Sequence, residues 1–402
     1  MIPPLHLDMY QSICMAVLAL LLGSLLRQKI KFLERFCIPS PVVGGLVFAL
    51  ITCLLYALGI AEVSFDATLQ EVCMVLFFTS MGFQADVRQM KSGGRSLLLL
   101  ILAVTVLIIL QNGTSIGLAV LSGQSPLTGM GAGSISMVGG HGTAAAFGPL
   151  LEEKGFLGGN AISSASATFG LIAGSLIGGP LGNSLIRKKQ LLATASPLTE
   201  EKGPKVSAAK PTSAPSRYGN RVTLAVFQLL IAIGIGTLFN YLLRSTGLPF
   251  PVYIGSLLAA AVIRNAGCLS GKYEVYLEEI SGISDICLGL FLGMAMISLK
   301  LWQLASLALP LILMLLGQTL LMLLYARFAV FPLLGRNYDA AILAAGLCGS
   351  GMGATPNAMA NARVLIGKYA PSPKALFLLP LVGCVFTDII NSLLISLTLN
   401  ML

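Results

Sequence analysis

The chain has 402 residues, of which 56% are hydrophobic and only 10% are charged, and its formal net charge is +9. A soluble domain carries about 25% charged residues, so this composition predicts a membrane protein and excludes an ordinary soluble fold. The positive charge does not indicate nucleic-acid binding. Most Lys and Arg residues lie in loops that follow apolar segments, as positive-inside sorting requires.

Ten apolar segments follow one another along the chain, and most approach the about 20 residues that a helix needs to cross a bilayer. They lie at about residues 10–26, 41–60, 72–85, 96–121, 161–186, 222–243, 251–263, 285–299, 303–326 and 376–399. Residues 1–9 carry no Lys or Arg. The first segment is therefore predicted to be a retained span rather than a cleaved signal peptide.

Two further segments, residues 128–150 and 339–362, are apolar but crowded with Gly, Ser and Thr. If residues 128–150 crossed the membrane, the basic segment that begins at Arg187 would lie outside, against the positive-inside rule. If they enter and leave on one face instead, nearly all Lys and Arg residues lie on the cytoplasmic side. The exceptions are Lys154, Arg244 and Lys300. The charge pattern thus predicts one re-entrant loop in each half.

Motifs of the first half return in the second half in the same order, about 210 residues later. The three pairs are Ile38–Leu46 with Leu248–Ser256, Cys73–Phe78 with Cys287–Leu292, and Gly139–Thr143 with Gly349–Thr355. Matching Gly- and Pro-interrupted segments in an apolar chain are typical of secondary transporters, whose binding site lies where the broken segments meet. Because each half has an odd number of spans, the second is predicted to be inverted.

The predicted fold is an all-α polytopic membrane protein with two inverted-topology repeats, each of five transmembrane helices and one re-entrant loop. The first repeat is assigned to residues 1–187 and the second to residues 221–402. A cytoplasmic linker, residues 188–220, is rich in Pro, Ser, Ala and Lys and is expected to be mobile. Both termini are then predicted on the outer face. No spacing of the Cys and His residues suggests a metal site.

The two glycine clusters form the predicted loop tips. Glycine lets backbone N–H groups converge on one point, and short helices that begin there would direct their dipoles at a carboxylate or an ion. The alternative is that these small residues only allow close helix packing. The predicted substrate-binding residues are Ser136, Gly140, His141, Gly142, Thr143, Ser350, Gly351, Gly353, Thr355, Asn357 and Asn391.

Asp388 is predicted to be the only acid deep within a span, where an uncompensated carboxylate is costly. It is expected to bind Na⁺, with Thr168 and Thr387, or to meet a substrate ammonium; the alternative is a structural hydrogen bond to a neighbouring helix. His141 either shuttles protons or holds the loop tip as a neutral donor. Asp285 is expected to cap a helix near the cytoplasmic interface.

Over essentially its whole length the chain resembles the bacterial glutamate:Na⁺ symporter family. The resemblance is carried by Gly139–Thr143, Leu299–Trp302, Asn337–Ala341 and Gly349–Pro356. It departs from the family in the second cluster, which reads Gly-Ser-Gly-Met-Gly, and in the linker.

This resemblance implies a non-enzymatic carrier that takes up L-glutamate across the bacterial inner membrane, with Na⁺ as coupling ion and no other cofactor. It also implies alternating access by a homodimer, in which a part carrying the re-entrant loops moves against a scaffold. Glutamate, Na⁺ and lipid are then its partners, and nucleic acid is not.

Three other functions stay open at this point. A carrier of other dicarboxylates or hydroxycarboxylates fits the same scaffold, and paired re-entrant loops also build ion channels. A membrane enzyme is disfavoured because the sequence shows no nucleophile–base pair at membrane depth. No arginine lies in mid-span to bind a side-chain carboxylate, and Arg363 is the nearest candidate.

Overall fold

A computed structural model describes residues 3–31, 33, 38–194, 215–244, 253–270 and 274–402. Within these ranges the chain is mostly helical. Most of the predicted linker, residues 195–214, lies outside the described residues, so its expected mobility stays a prediction. Residues 245–252 also lie outside the described residues. They include the prolines of the second copy of the first motif.

The described residues of the first half form five long helices and one pair of short ones. They are α1 (Met9–Lys29), α2 (Ser40–Ala57), α3 (Thr68–Phe83), α4 (Val87–Leu121), α5 (Pro126–Ala132), α6 (Gly140–Glu153) and α7 (Gly159–Lys188). A capping box starts α1, because the Gln11 N–H donates to Asp8 Oδ1 at 2.8 Å and the Gln11 side chain accepts from the Asp8 N–H. Gly94 interrupts α4 with φ 53° and ψ −150°.

The described residues of the second half form nine α-helices. They are α8 (Pro215–Arg244), α9 (Tyr253–Ser270), α10 (Leu277–Ile297), α11 (Ala308–Tyr325), α12 (Phe331–Leu333), α13 (Tyr338–Ser350), α14 (Thr355–Lys368), α15 (Pro373–Leu381) and α16 (Thr387–Met401). Single wider turns of π-helix, Ala326–Val330 and Val382–Phe386, join α11 to α12 and α15 to α16. Such turns often occur at functional sites.

Seven helices of the described chain are long and apolar enough to cross a membrane. They are α1, α2, α4 from Gly94, α7, α8 from Arg221, α10, and the continuous run from Ala308 to Leu333. A shorter apolar helix, α3, has 16 residues. The prediction of a mostly α-helical, multi-pass membrane protein is confirmed.

Two short strands, which the sequence analysis did not predict, pair in parallel at one end of α1 and α2. Strand β1 (Pro4–Leu7) pairs with β2 (Glu62–Phe65), with Leu7 opposite Phe65. His6 Nδ1 and Ser64 Oγ lie 2.7 Å apart across the pair. Because two helices separate the strands along the chain, α1 leaves this end and α2 returns to it.

The short helices pack as two hairpins whose turns are irregular. We call α5, residues 133–139 and α6 the first hairpin, and α13, residues 351–354 and α14 the second hairpin. Their helices have 7, 14, 13 and 14 residues. At 1.5 Å per residue a 14-residue helix is about 21 Å long, too short to cross a hydrocarbon core of about 30 Å.

The helices pack in two groups. The hairpin group comprises α4–α7 and α11–α16, most of which share the largest apolar core. Helix α6 instead packs in a core with α3 and α9. The wall group comprises α1–α3 and α8–α10, which form two smaller cores around Phe291 and Phe83. Each group therefore takes its helices from both halves of the chain.

A line of glycines lets α7 approach the second hairpin closely. Gly170, Gly174, Gly178 and Gly182 recur every four residues and so share one face of α7. A Cβ on Gly170 would overlap the carbonyl oxygen of Met352, and one on Gly174 would lie 2.7 Å from the carbonyl oxygen of Cys348. The small residues of this span therefore serve helix packing.

We predict that Gly170→Ala destabilises the protein, because the added methyl group meets backbone that cannot move aside. The expected loss is about 1–3 kcal/mol, measured as a lower melting temperature in detergent. Gly179→Ala is the matched control, since a Cβ at Gly179 meets nothing within 4 Å and alanine favours a helix over glycine. Equal melting temperatures for both variants would contradict the packing argument.

Candidate functional site

A cavity of about 410 Å³ lies between the wall group and the hairpin group. Both hairpin turns, α3, α10 and the start of α16 contribute to its walls. Its lining residues include Phe77, Phe78, Met81, Gln84, Gly139, Gly140, His141, Gly142, Thr143, Ser281, Ser284, Asp285, Ser350, Gly353, Ala354, Thr355, Thr387 and Asp388. A cavity of this size is within the range of small-molecule sites.

Two helices begin at this cavity, one from each hairpin. Helix α6 starts at Gly140 and α14 starts at Thr355, and both residues line the cavity. The first N–H groups of a helix have no partner within it, and the helix dipole is positive at this end. Two helix N-termini at one cavity favour a ligand with negatively charged groups.

The two hairpin turns contact each other. Gly140 has φ +59°, and a Cβ there would lie 2.5 Å from the carbonyl oxygen of Gly353. Only glycine satisfies both the left-handed backbone conformation and this close approach. Gly140 and Gly353 were both predicted as site residues, and their contact brings the two halves of the chain together.

Two adjacent residues of α4 hold both turns. Gln111 Nε2 donates to the carbonyl oxygen of Gly351 in the second hairpin at 2.6 Å. Asn112 Oδ1 accepts from the Ser134 N–H in the first hairpin at 2.9 Å. Both side chains are buried. Gln318 Nε2 in α11 donates to the Gln111 carbonyl oxygen at 2.8 Å, so α11 is joined to α4 at the residue that holds the second turn.

His141 is tied to α7 through Thr168. His141 Nε2 and Thr168 Oγ1 lie 3.0 Å apart, and the Thr168 hydroxyl donates to the carbonyl oxygen of Ser164 at 3.0 Å. Since that hydroxyl has one hydrogen, Nε2 of His141 must be the donor of the first bond. Nδ1 of a neutral His141 is then an acceptor. This geometry agrees with the reading of His141 as a donor that holds the turn.

Asp388 and Thr387 lie at the start of α16, directly after the wider turn of helix, and both line the cavity. The Thr387 hydroxyl donates to the carbonyl oxygen of Val382 at 2.8 Å. Asp388 makes no hydrogen bond or ion pair with any other residue that the structure describes. Its carboxylate therefore stays available to a cation in the cavity.

The prediction that Asp285 caps a helix is wrong. Helix α10 begins at Leu277 with Tyr276 at the N-cap position, so Asp285 is its ninth residue and faces the cavity. Asp388 is consequently not the only acid within a membrane helix. The apolar segment predicted at 285–299 starts too late because Glu278, Glu279 and Asp285 lower the local hydropathy.

Several predicted site residues lie beside the cavity rather than on its surface. Ser136 Oγ donates to the Ser163 carbonyl oxygen at 2.8 Å, and Gly351 accepts from Gln111. Asn357 Nδ2 donates to the Leu171 carbonyl oxygen at 2.9 Å, and Asn391 Nδ2 donates to that of Ser134 at 3.1 Å. These residues, like Thr168, join a hairpin to a neighbouring helix.

The wall group supplies residues that sequence reasoning missed. Phe77 and Met81 from α3, Gln84 directly after it, and Ser281 and Ser284 from α10 line the cavity. The hydroxyl groups of Ser80 and Ser284 lie 2.5 Å apart and join the two helices. The sequence does mark these two helices as a matched pair, because α3 and α10 carry the repeated motifs at Cys73 and Cys287.

Arg363 lies on the exposed face of α14 and does not line the cavity. Among the cavity-lining residues that the structure describes there is neither Lys nor Arg. The positive potential of the site therefore comes from helix N-termini rather than from a basic side chain.

The fold and the cavity define a multi-pass membrane protein with a ligand-sized site, lined by both apolar and polar residues, between two groups of helices. The comparisons with known proteins agree with this class. The chain belongs to the sodium/glutamate symporter family, whose model matches residues 5–371. This is a family of transporters and not of enzymes.

Its relatives match over nearly their whole length. The sodium/glutamate symporter of Escherichia coli K12 is 38% identical over 400 residues, which cover 98% of each chain. The symporter of Shigella flexneri has the same identity and coverage. That of Haemophilus influenzae is 33% identical over 394 residues, or 96% of each chain.

We predict that Gln111→Leu destabilises the protein and weakens ligand binding, because the carbonyl of Gly351 loses its buried donor. The expected cost is about 1–3 kcal/mol, measured by thermal unfolding with and without ligand. Thr105→Val in the same helix is the control, since the Thr105 hydroxyl bonds only the Ile101 carbonyl of its own helix at 2.9 Å. A Gln111→Leu variant as stable as the control would show that this bond is dispensable.

Proposed function

We propose that this protein couples the movement of Na⁺ to the uptake of L-glutamate across the bacterial inner membrane. The observation that carries this proposal is the cavity at which the N-termini of α6 and α14 meet the carboxylate of Asp388. L-Glutamate has two carboxylates and one ammonium group, and Na⁺ adds a second positive charge. The cavity offers both kinds of partner, and the named activity of the relatives agrees with it.

The two carboxylates of glutamate are assigned to the two hairpin turns. Gly140, Gly142 and Thr143 face the cavity from the start of α6. Gly353 faces it from the second turn, and Thr355 from the start of α14. Backbone N–H groups and hydroxyls at a helix N-terminus bind carboxylates without a basic residue. His141 and Ser350 complete the proposed substrate contacts.

Na⁺ is assigned to Asp388 and to neutral oxygen atoms near it. Thr387 adjoins Asp388 on the cavity, and unwound segments in transporters commonly supply the ligands of Na⁺. Oδ1 of Asn391 and Oγ of Ser134 are buried without a hydrogen-bond partner, and an unpaired buried oxygen costs about 1–3 kcal/mol. An ion nearby would offset this cost and fix the first turn.

Sodium binding would then favour glutamate binding. Asn391 already joins α16 to the first hairpin, and Asn357 joins the second hairpin to α7, with Oδ1 of each left unpaired. An ion that orders these contacts between helices removes the ordering cost from the later binding of substrate. This is positive coupling between two ligands in thermodynamic terms.

The proposed topology has two inverted repeats, with ten crossings and two re-entrant hairpins. Three ion pairs support it, because each joins two residues assigned to the same face. Lys300 pairs with Glu62 at 3.0 Å on the proposed periplasmic face. On the proposed cytoplasmic face Arg264 pairs with Asp86 at 3.2 Å and Arg221 with Glu279 at 2.8 Å.

Alternating access is assigned to movement of the hairpin group against the wall group. The largest apolar core lies within the hairpin group, a core around Phe83 lies within the wall group, and the cavity lies where the two groups meet. A further core, which includes Phe147 of α6 and Tyr253 of α9, joins the groups and would rearrange as they move. Sliding along the boundary between the two groups would expose the hairpin turns to one face of the membrane and then to the other. The two turns would keep their contact with each other. We further propose that the wall group pairs with that of a second copy, as the family resemblance implies for a homodimer.

We predict Na⁺-dependent uptake of radiolabelled L-glutamate into proteoliposomes, in comparison with K⁺ and proton gradients alone. Unlabelled L-glutamate should compete, and other dicarboxylates or hydroxycarboxylates should compete less. Stronger competition by those compounds would support the alternative substrate class. Inserted protein that shows no uptake under any gradient would overturn the substrate assignment.

Asp388→Asn should abolish uptake or its Na⁺ dependence, because the variant removes the charge that binds the ion. The protein should still insert and should lose the stabilisation by Na⁺ that thermal unfolding measures without glutamate. Asp66→Asn is the control, since Asp66 lies in the loop beyond β2. Normal sodium coupling in Asp388→Asn would remove Asp388 from the proposed ion site.

The topology predicts which positions a membrane-impermeant thiol reagent reaches from outside the cell. On a cysteine-free background, Glu153→Cys at the end of α6 should react from outside. Lys189→Cys, at the other end of the 30-residue α7, should react only after permeabilisation. Arg336→Cys and Lys374→Cys flank the second hairpin and should both behave like Lys189→Cys. Opposite sidedness for these two would show that the hairpin crosses the membrane.

A further inference from the structure

Asp285 is an acid within a membrane helix that the proposed Na⁺ site does not use. It is exposed to the cavity from the ninth position of α10. Among the described residues it has neither a hydrogen bond nor an ion pair. A carboxylate at such a position is expensive unless a ligand compensates it, so it indicates a function.

Asp285 and the hairpin turns line the same cavity from different helix groups. The turns and Asp388 belong to the hairpin group, whereas α10 belongs to the wall group. Ser284, its neighbour, is engaged with Ser80 at 2.5 Å. Of the residues that line the cavity from the wall group, Asp285 is the one with a charge.

The charges of the proposed substrate match this arrangement. Carboxylates held at the N-termini of α6 and α14 leave the ammonium group of an amino acid free to point at the opposite wall. Two acids line the described cavity. Asp388 adjoins Thr387 and Asn391 at the proposed ion site, which leaves Asp285 for the ammonium group.

We propose that Asp285 binds the α-ammonium group of the substrate and so selects amino dicarboxylates over plain dicarboxylates. This inference rests on the proposed function and adds the subsite that recognises an amino acid. Because α10 belongs to the wall group, the contact is made while the cavity faces α10, as it does here. The selection therefore acts in this conformation.

The test compares L-glutamate with glutarate, which has the same two carboxylates and no amino group. Binding of each to purified protein at saturating Na⁺ is measured by thermal shift and by competition with radiolabelled L-glutamate. Asp285→Asn should weaken L-glutamate binding by about 10- to 100-fold, the loss expected for a charged hydrogen bond. The dissociation constant of glutarate divided by that of L-glutamate should fall by the same factor.

Two further variants of the chain separate this role from a structural one. Glu278→Gln removes a charge from the first turn of the same helix, where Glu278 is exposed and does not line the cavity, and should leave the ratio unchanged. Asp285→Glu keeps the charge and should keep a ratio near that of the wild type. It also provides a test if Asp285→Asn does not fold.

Equal losses for both ligands would show that Asp285 supports the structure and would overturn the proposal. Tighter L-glutamate binding in Asp285→Asn would show that the carboxylate repels the substrate, which also overturns it. Failure of the proposed function is distinguishable, because the wild-type protein would then show no Na⁺-dependent L-glutamate binding at all.

Discussion

The contact between the two hairpin turns is the constraint on which the rest of the site depends. Irregular backbone within a membrane must be buried in protein or line a watery cavity, because its polar groups find no partner in lipid. Here each turn meets the other at Gly140 and Gly353, and Gln111 and Asn112 of α4 hold both from behind. The same arrangement directs two helix N-termini at one cavity.

The division into two helix groups explains why the cavity lies where it does. The hairpin group forms one apolar core through α4, α7 and α11, and the glycine face of α7 brings the second hairpin within van der Waals contact. The wall group closes the other side with α3 and α10. Under the proposed movement of the two groups, a site at this boundary would present different walls to its ligand, whereas a site within one group would not.

The candidate site was partly visible in the sequence. Gly139–Thr143, the second glycine cluster and Asp388 could be identified because matched glycines and an acid in an apolar run are unusual in a chain of this composition. Gln111 and Asn112 could not, since an amide within a long apolar helix gives no sign of its partner. Asp285 was misjudged because three acids in α10 lowered the hydropathy and shifted the apparent start of the helix by eight residues.

The sequence by itself determined the membrane class, the order of the helices, the hairpin positions and the resemblance to a transporter family. These follow from local hydropathy and charge and from the recurrence of short motifs, all of which can be read from the order of residues alone. Only the tertiary structure decided which side chains share the cavity, that Asn357 and Asn391 join its walls from behind, and that Asp285 faces it. Such contacts join residues far apart in the chain, as Asn391 and Ser134 are at 257 residues, and no local pattern records which distant residues meet.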